Sequence, residues 1–149
     1  MIEGLAGARV YVDANILIYF VEKIAGWHRK ARVLFQALTD GECDIVTSEI
    51  SLGECLYRPY RDKNAGLIAH YDAFFGGGQI IRADVDVEFI RAAAALAGES
   101  RLKLIDAIHV ATAIANGCAV FVSNDARIRP IAGLRIFRLG EIEDPHSNG

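Results

Sequence analysis

The stretch ARVYVDANILIYF, residues 8–20, decides the fold, because an apolar run ends at an acid and a helical pattern begins at once. Residues 8–12 form the kind of short apolar run that makes a buried strand, and the apolar spacing after Asp13 has the period of a helix. Asp13 is therefore predicted to lie just past the carboxyl end of a strand. In an open parallel sheet, that edge is where ligand sites form.

The same alternation of apolar runs and helical periods continues along the chain. We predict strands at 8–13, 43–47, 79–83, 119–123 and 134–138, and helices across 14–41 and at 48–58, 62–75, 85–98 and 104–116. This order predicts an α/β fold with a parallel sheet covered by helices on both faces. We expect one domain over residues 1–142 and a short polar tail, residues 143–149, that frays.

Composition restricts the class of protein. The chain has 149 residues, of which 52% are hydrophobic, enough for a single domain with a substantial core. No apolar stretch reaches the roughly 20 residues of a membrane helix, and the first residues lack the basic and apolar segments of a signal peptide. We therefore expect a soluble, cytoplasmic protein. The three cysteines are odd in number and widely spaced, which favours reduced thiols over disulfides or a zinc site.

Four acids are predicted to meet at one edge of the sheet: Asp13, Glu54, Asp106 and Asp125. Asp125 follows the apolar run 119–123, while Glu54 and Asp106 lie on predicted helices whose amino ends share that edge. Converging carboxylates repel one another and raise each other's pKa, so a fold that gathers four usually holds a hard cation such as Mg²⁺ or Mn²⁺. The constellation predicts a metal-dependent phosphodiester enzyme.

Each acid also has a purely structural interpretation. An Asp at a strand-to-helix junction caps the helix, typically contributing about 1 kcal/mol, and this alternative stays open for Asp13, Asp106 and Asp125. Glu54 differs, because it lies well inside its predicted helix among apolar neighbours. There it needs a partner, which a metal would supply, unless it faces solvent.

Other acids and His109 are not expected to be ligands or catalysts. Glu49 suits the first turn of its helix, and Asp84 or Asp86 is expected to cap the next one. His109 lies one helical turn from Asp106, which would suit a general base, but a neutral histidine packed beside Ala113 is the favoured interpretation.

The net charge of −3 argues against bulk attraction to nucleic acid, but cationic side chains cluster locally. The clusters are Arg58, Arg61 and Lys63, and then Arg127, Arg129, Arg135 and Arg138. Arg58 and Arg127 are close in sequence to predicted ligands and are our candidates for contacts with the phosphates of a nucleic acid. A solvated surface is the alternative for both clusters.

A strand-end Asp also occurs in phosphotransfer domains and in phosphatases with a nucleophilic Asp. The motif DAN at 13–15 lacks the second Asp of the usual phosphatase loop, and no suitable Lys follows a later strand. These classes are therefore disfavoured.

Four segments together resemble the signatures of PIN-domain ribonucleases. They are DANILIY at 13–19, SEISLGECL at 48–56, DAIHVATAIANG at 106–117 and VSNDARI at 122–128. The resemblance extends in order from about residue 9 to residue 139 and is closest to the VapC-type toxins of type II toxin–antitoxin systems. It implies a three-layer α/β/α domain with a central parallel sheet of four to five strands.

The resemblance also implies a role for each residue of the motifs. Asp13, Glu54, Asp106 and Asp125 take the acidic positions that bind one or two Mg²⁺ or Mn²⁺ ions and catalyse hydrolysis of single-stranded or looped RNA. Asn15, Ser123 and Asn124 match polar positions that orient ligands or water. Cleavage is expected to leave a 5′-phosphate and a 3′-hydroxyl.

The family further implies protein partners. Helical segments 16–38 and 56–75 carry more apolar side chains than one buried face needs, which allows a groove for an antitoxin segment and a surface for a homodimer. The alternative function is a non-catalytic PIN-like module that binds RNA or protein and uses its acids only for folding.

Overall fold

A computed structural model of the chain describes residues 4–125, 127–131 and 133–142, so the predicted tail over 143–149 lies outside the described residues. Within them the chain forms five strands and six helices, followed by a short 3-10 helix at Leu139–Glu141. The strands are β1 (Arg9–Val12), β2 (Asp44–Ser48), β3 (Ile81–Ala83), β4 (Val120–Val122) and β5 (Arg135–Phe137). The helices are α1 (Ala14–Val21), α2 (His28–Thr39), α3 (Glu49–Arg61), α4 (Ala65–Gly76), α5 (Val87–Ser100) and α6 (Leu104–Ala115).

The five strands form one sheet in the order β3-β2-β1-β4-β5, and every neighbouring pair is parallel. β1 is central, between β2 and β4. Its last residue, Val12, is in register with Val122, the last residue of β4. The predicted parallel sheet is confirmed, and the residues that follow these two strands emerge side by side.

Helices cover both faces of the sheet, because successive strand side chains point to opposite sides. Val10 and Val12 pack into a cluster with side chains of α1 to α4, including Leu17. Tyr11 faces the other way and packs with Val110 of α6. The three-layer α/β/α arrangement expected from the family resemblance is therefore present.

One helix is longer than predicted. α3 continues through Pro59 to Arg61, whereas the sequence pattern predicted an end at residue 58. A proline inside a helix loses one backbone hydrogen bond, and the ring of Pro59 is buried. The predicted helical stretch 14–41 is two helices, separated by a turn that contains Gly26 at φ +87°.

The structure also bears on the predictions about the cysteines and about membrane helices. Cys43, Cys55 and Cys118 are free and buried, as predicted for reduced thiols. No helix in the described part of the chain is both long and apolar enough to cross a membrane.

Candidate active site

The topology brings the predicted acids to the carboxyl edge of the sheet. Asp13 is the first residue beyond β1, and Ser123 is the first beyond β4; since Val12 and Val122 are in register, the two side chains start next to each other. α3, which carries Glu54, begins directly after β2. α6, which carries Asp106 in its first turn, leads back into β4, so its amino end lies at the same edge.

Asp13 and Glu54 form what we call the inner pair. Asp13 is only 8% exposed, and its Oδ2 accepts a hydrogen bond of 2.7 Å from Ser123 Oγ. Its Oδ1 accepts from the backbone N–H of Ile16 at 3.3 Å, so Asp13 does cap α1. Capping therefore uses one oxygen of the carboxylate, while Ser123 holds the other.

Burial raises the pKa of Asp13 above its usual range, because a charge loses hydration there. The hydrogen bond from Ser123 and the nearby His109 act in the opposite direction, and the carboxylate of Glu54 adds to the rise. The two acids of the inner pair are thus close enough to repel each other. A positive charge placed between them would relieve both effects.

His109 is the partner of Glu54. Its Nε2 lies 2.5 Å from Glu54 Oε1, and its Nδ1 lies 2.6 Å from the hydroxyl of Tyr11. Burial raises the pKa of Tyr11, so its hydroxyl keeps its proton. A carboxylate only accepts hydrogen bonds, so the Nε2 of His109 is the donor to Glu54.

This role of His109 was not predicted from the sequence. His109 is buried, as expected, but it orients a predicted ligand rather than merely filling space beside Ala113. The only sequence signal was its position one helical turn from Asp106.

Asp106 and Asp125 form what we call the outer pair. Asp106 lies in the first turn of α6, but the capping position is occupied by Lys103, whose side chain makes no capping hydrogen bond. The Oδ2 atom of Asp106 is buried and has no hydrogen-bond partner in the structure. Asp106 therefore does not cap its helix. Burial, and then the Asp125 carboxylate, raise its pKa.

Asp125 is held by Arg127. Its Oδ1 accepts from the backbone N–H of Arg127 at 2.9 Å and from Nε at 3.0 Å, and its Oδ2 accepts from Nη2 at 2.8 Å. These hydrogen bonds hold the pKa of Asp125 below its usual range. The backbone N–H of Asp125 donates to Ser123 Oγ at 3.0 Å, so Ser123 connects the outer pair to Asp13.

The other predicted site residues form fewer hydrogen bonds in the site. Asn15 is exposed in the first turn of α1, and Arg58 is exposed on α3, one turn beyond Glu54. Asn124 is half-buried, and its Nδ2 atom is buried without a partner. The structure thus brings Ser123 into contact with the acids and leaves an unused amide donor on Asn124. Among the described residues, Asn15 forms no side-chain hydrogen bond with the four acids.

Two of the acids set aside as structural behave as predicted. Asp86 caps α5 by accepting from the backbone N–H of Phe89 at 3.0 Å. Glu49 lies in the first turn of α3 and accepts two hydrogen bonds from Arg82, at 2.9 and 2.7 Å.

The donor set suits a hard divalent cation, although it is not closed into a ligand cage. Among the described residues, no three His, Cys, Asp or Glu side chains are positioned together as metal ligands. His109 contacts Glu54, and Arg127 contacts Asp125. Yet the four acids offer only oxygen ligands, the type that Mg²⁺ prefers. The unpartnered Oδ2 of Asp106 is an oxygen that a cation would satisfy. The residues therefore fit a Mg²⁺ or Mn²⁺ ion.

Comparison with known proteins identifies the family of the chain. The model of the PIN domain family matches residues 10–134 of the chain. No curated protein matches the sequence.

Several solved structures share the fold. The VapBC2 complex from Rickettsia felis, bound to a DNA fragment from its promoter, contains a chain with a TM-score of 0.69 and 18% identity, covering 87% of this chain and 98% of that chain. VapC20 from Mycobacterium tuberculosis, described as a sarcin-ricin loop cleaving toxin, has a TM-score of 0.65 and 16% identity. The match covers 81% of this chain and 99% of VapC20. A chain of a toxin–antitoxin complex from Klebsiella pneumoniae has a TM-score of 0.64 and 22% identity. The match covers 84% of this chain and 94% of that chain. At these identities the likeness concerns the fold.

Proposed function

Since the chain belongs to the PIN domain family, we propose that it is a metal-dependent endoribonuclease that hydrolyses RNA phosphodiester bonds. The observation that carries this proposal is the buried, unpartnered Oδ2 of Asp106, at the sheet edge where Asp13 is also buried with a raised pKa. A fold leaves buried carboxylate oxygens without partners at a cost in stability, and a bound cation removes that cost.

Asp13, Glu54, Asp106 and Asp125 would hold the metal, as one or two Mg²⁺ or Mn²⁺ ions. A bound ion of this kind supplies Lewis acidity toward a phosphodiester and lowers the pKa of a coordinated water to make a nucleophile at neutral pH. The acids themselves act as catalytic residues through this coordination, and no protein nucleophile is needed.

The surrounding residues orient these acids. Ser123 donates to Asp13 and fixes which face of that carboxylate is open, while His109 does the same for Glu54. Asn124 keeps a buried amide donor free at this edge, which suits the binding of a water or a phosphate oxygen. We assign Asn15, whose exposed amide is on the first turn of α1, to the same class of helper.

Arg127 has to change partner in this scheme. Both oxygens of Asp125 are engaged by its guanidinium, so Asp125 becomes a full ligand only when Arg127 moves away. An exposed arginine released in this way is well placed to pair with an RNA phosphate, and Arg58 is a second candidate on the other side of Glu54.

We further propose that the protein is the toxin of a toxin–antitoxin pair and acts in the cytoplasm, where RNA is found. Solved structures of the same fold include toxin–antitoxin complexes. A groove of about 160 Å³, with an aromatic floor of Phe20, Phe35 and Phe74 and a polar rim that includes Arg32, supports binding of an apolar antitoxin segment. Phe20 and Phe35 stack with ring centres 4.2 Å apart.

We propose self-association as well. Two large side chains of the segment 56–75, Tyr57 and Tyr60 on α3, are exposed and support a homodimer surface. Light scattering at micromolar concentration is expected to give the mass of two chains, and a single mass equal to one chain would contradict the dimer.

RNA cleavage tests the proposed activity. Purified protein with Mg²⁺ or Mn²⁺ is expected to cut total RNA and leave 5′-phosphate and 3′-hydroxyl ends, and EDTA or Asp13→Asn is expected to stop it. Cyclic phosphate ends, or equal cutting by a folded Asp13→Asn variant, would contradict the scheme.

A non-catalytic module that binds RNA or protein is the second candidate. One observation favours this candidate. The Arg127 side chain occupies both oxygens of Asp125, so that acid is not free to bind a metal in this structure. Such a module would bind RNA without turnover at any metal concentration. Saturable RNA binding together with intact RNA after prolonged incubation in Mn²⁺ would select it.

A further inference from the structure

A cavity of about 590 Å³ adjoins the outer pair. It lies between the turn that joins α5 to α6 and the segment 127–131 after β4. The lining residues are Ser100, Arg101, Leu102, Lys103, Asp106, Arg127, Arg129 and Ile131. Since Asp106 belongs to this lining, the cavity is continuous with the metal-binding edge. Its volume is in the range of pockets that hold a ligand of nucleotide size or larger.

The cavity is strongly cationic in an otherwise acidic chain. Four cationic side chains line it against the single carboxylate of Asp106. Arg127 is paired with Asp125, but no described residue forms an ion pair or a hydrogen bond with the side chains of Arg101, Lys103 or Arg129. The Asp106 carboxylate, which interacts with Lys103 and Arg127, offsets only part of this charge. The remaining like charges repel one another, and a bound anion relieves this repulsion.

Local folding does not explain the charge at Lys103. This residue occupies the amino-terminal cap of α6, where Ser, Thr, Asp or Asn would accept a hydrogen bond from the helix. A lysine has no acceptor to offer, and the positive end of the helix dipole repels its charge. The position therefore carries a cation at a cost to the helix, and that pattern is typical of a functional site.

We infer that this cavity is a subsite for the RNA backbone, in which Arg101, Lys103 and Arg129 hold phosphates next to the bond that is cut. The inference rests on the proposed function and adds the path of the substrate strand. Three separated cations in one cavity match the repeated charges of a polymer better than one free anion. The strand would pass from the cavity over Asp106 toward the inner pair.

Two substitutions separate RNA binding from folding. Arg101 adopts a left-handed conformation at φ +58°, which glycine takes up without strain, so Arg101→Gly removes the charge without harming the fold. Lys103→Ser removes a charge and supplies the missing helix cap. Both variants are expected to be at least as thermally stable as the parent protein, whereas residues with a structural role would lose stability.

The affinity for RNA is then measured in an Asp13→Asn background, which prevents turnover. Fluorescence anisotropy with a short labelled single-stranded RNA, in Mn²⁺, is expected to show about threefold weaker binding for each variant and about tenfold for the double variant. The slope of log Kd against log salt is expected to fall by roughly 0.7 for each cation removed. A 5′ mononucleotide at the same total phosphate concentration is expected to displace no RNA.

Lys23→Gly is the matched control. Lys23 is an exposed cation with φ +54°, and it lies past the far end of α1 from Asp13. Its removal is expected to leave the affinity and the salt slope unchanged, and Arg101→Lys is expected to retain most of the binding. A double variant that binds RNA as the parent does, or displacement of RNA by the mononucleotide, would overturn the inference.

The same samples separate failure of this inference from failure of the proposed function. If the protein with Asp13 intact cleaves RNA while the cavity variants bind normally, the subsite is wrong and the nuclease stands. If that protein never cleaves RNA but the cavity variants lose affinity, the nuclease is wrong and the phosphate subsite stands.

Discussion

The inner pair, Asp13 and Glu54, and the outer pair, Asp106 and Asp125, lie at the same sheet edge but are held in opposite ways. Each inner acid has one oxygen oriented by a neighbouring side chain: Ser123 donates to Asp13, and His109 donates to Glu54. In the outer pair, Asp125 is neutralised by the guanidinium of Arg127, and one oxygen of Asp106 has no partner.

The two pairs therefore differ in whether a carboxylate is only oriented by its neighbour or also has its charge neutralised. A hydrogen bond to one oxygen orients a carboxylate and leaves the other oxygen for a metal, whereas a guanidinium that holds both oxygens competes with the metal for the carboxylate. The inner pair is thus prepared to bind a cation in the form that the structure describes, and the outer pair becomes available after Arg127 is displaced. The following predictions test whether that distinction is real.

The largest effect is expected from removing a ligand charge in either pair. Asp13→Asn and Asp106→Asn should each lower the rate of RNA cleavage by about 10³-fold, because a metal supplies several kcal/mol of charge stabilisation. Asparagine retains a carbonyl that can cap α1, so Asp13→Asn should stay folded. The measurement is single-turnover cleavage in saturating Mn²⁺, with circular dichroism to establish folding. Full activity in Asp106→Asn would restrict the metal site to the inner pair.

The next effect is expected from Ser123→Ala. Ser123 is fully buried, donates to Asp13 and accepts from the backbone of Asp125, so its loss disturbs both pairs. Cleavage should fall by about 10- to 100-fold, as is usual when a residue that orients a metal ligand is lost. Stability should fall by about 1–2 kcal/mol in urea unfolding, since two buried hydrogen bonds lose a partner. An unchanged cleavage rate would show that Ser123 only supports the fold.

A smaller effect, confined to the outer pair, is expected from Arg127→Gln. Release of Asp125 should lower the Mn²⁺ concentration for half-maximal cleavage by about threefold, because an exposed ion pair is a weak competitor. Arg82→Gln is the matched control, as Arg82 forms a similar two-bond contact with Glu49, which is not one of the four acids. Metal dependence that shifts equally in both variants, or only in Arg82→Gln, would contradict competition by Arg127.

The smallest effect is expected from Asp106→Asn on the thermal stability of the metal-free protein. The pKa of Asp106 is raised, so its ionisation penalises the folded state once the pH exceeds the usual range of an Asp, and the penalty disappears at lower pH. Asp106→Asn should therefore raise the melting temperature by about 1 °C at about pH 8 and have no effect at about pH 4. Calorimetry in EDTA measures this. A lower melting temperature at the higher pH would mean that Asp106 is satisfied within the protein.

Much of the fold could be predicted because its signals are local. The apolar runs before Asp13 and Asp125, and the helical periods between them, predicted the five parallel strands and the edge at which the acids meet. Capping also depends on neighbouring residues, so the cap formed by Asp86 was foreseeable. The extension of α3 through Pro59 was not, because it depends on burial of the proline ring against other elements.

The pairings within the site could not be predicted, since they join residues far apart in sequence. His109 contacts Glu54 across 55 positions and Tyr11 across 98, and no sequence period encodes such contacts. Arg127 is only two positions from Asp125, yet in the sequence it was an RNA candidate, because a loop arginine suits either role. Residue type predicted which side chains gather, and the tertiary structure determines what each one holds.

We propose that the inner and outer pairs contribute to one metal-binding site. Binding of Mn²⁺, followed by electron paramagnetic resonance in the absence of RNA, tests this without depending on activity. We predict saturable binding by the parent protein, strong loss of binding in both Asp13→Asn and Asp106→Asn, and tighter binding in Arg127→Gln. Mn²⁺ binding that is the same in Asp106→Asn as in the parent protein would contradict the account.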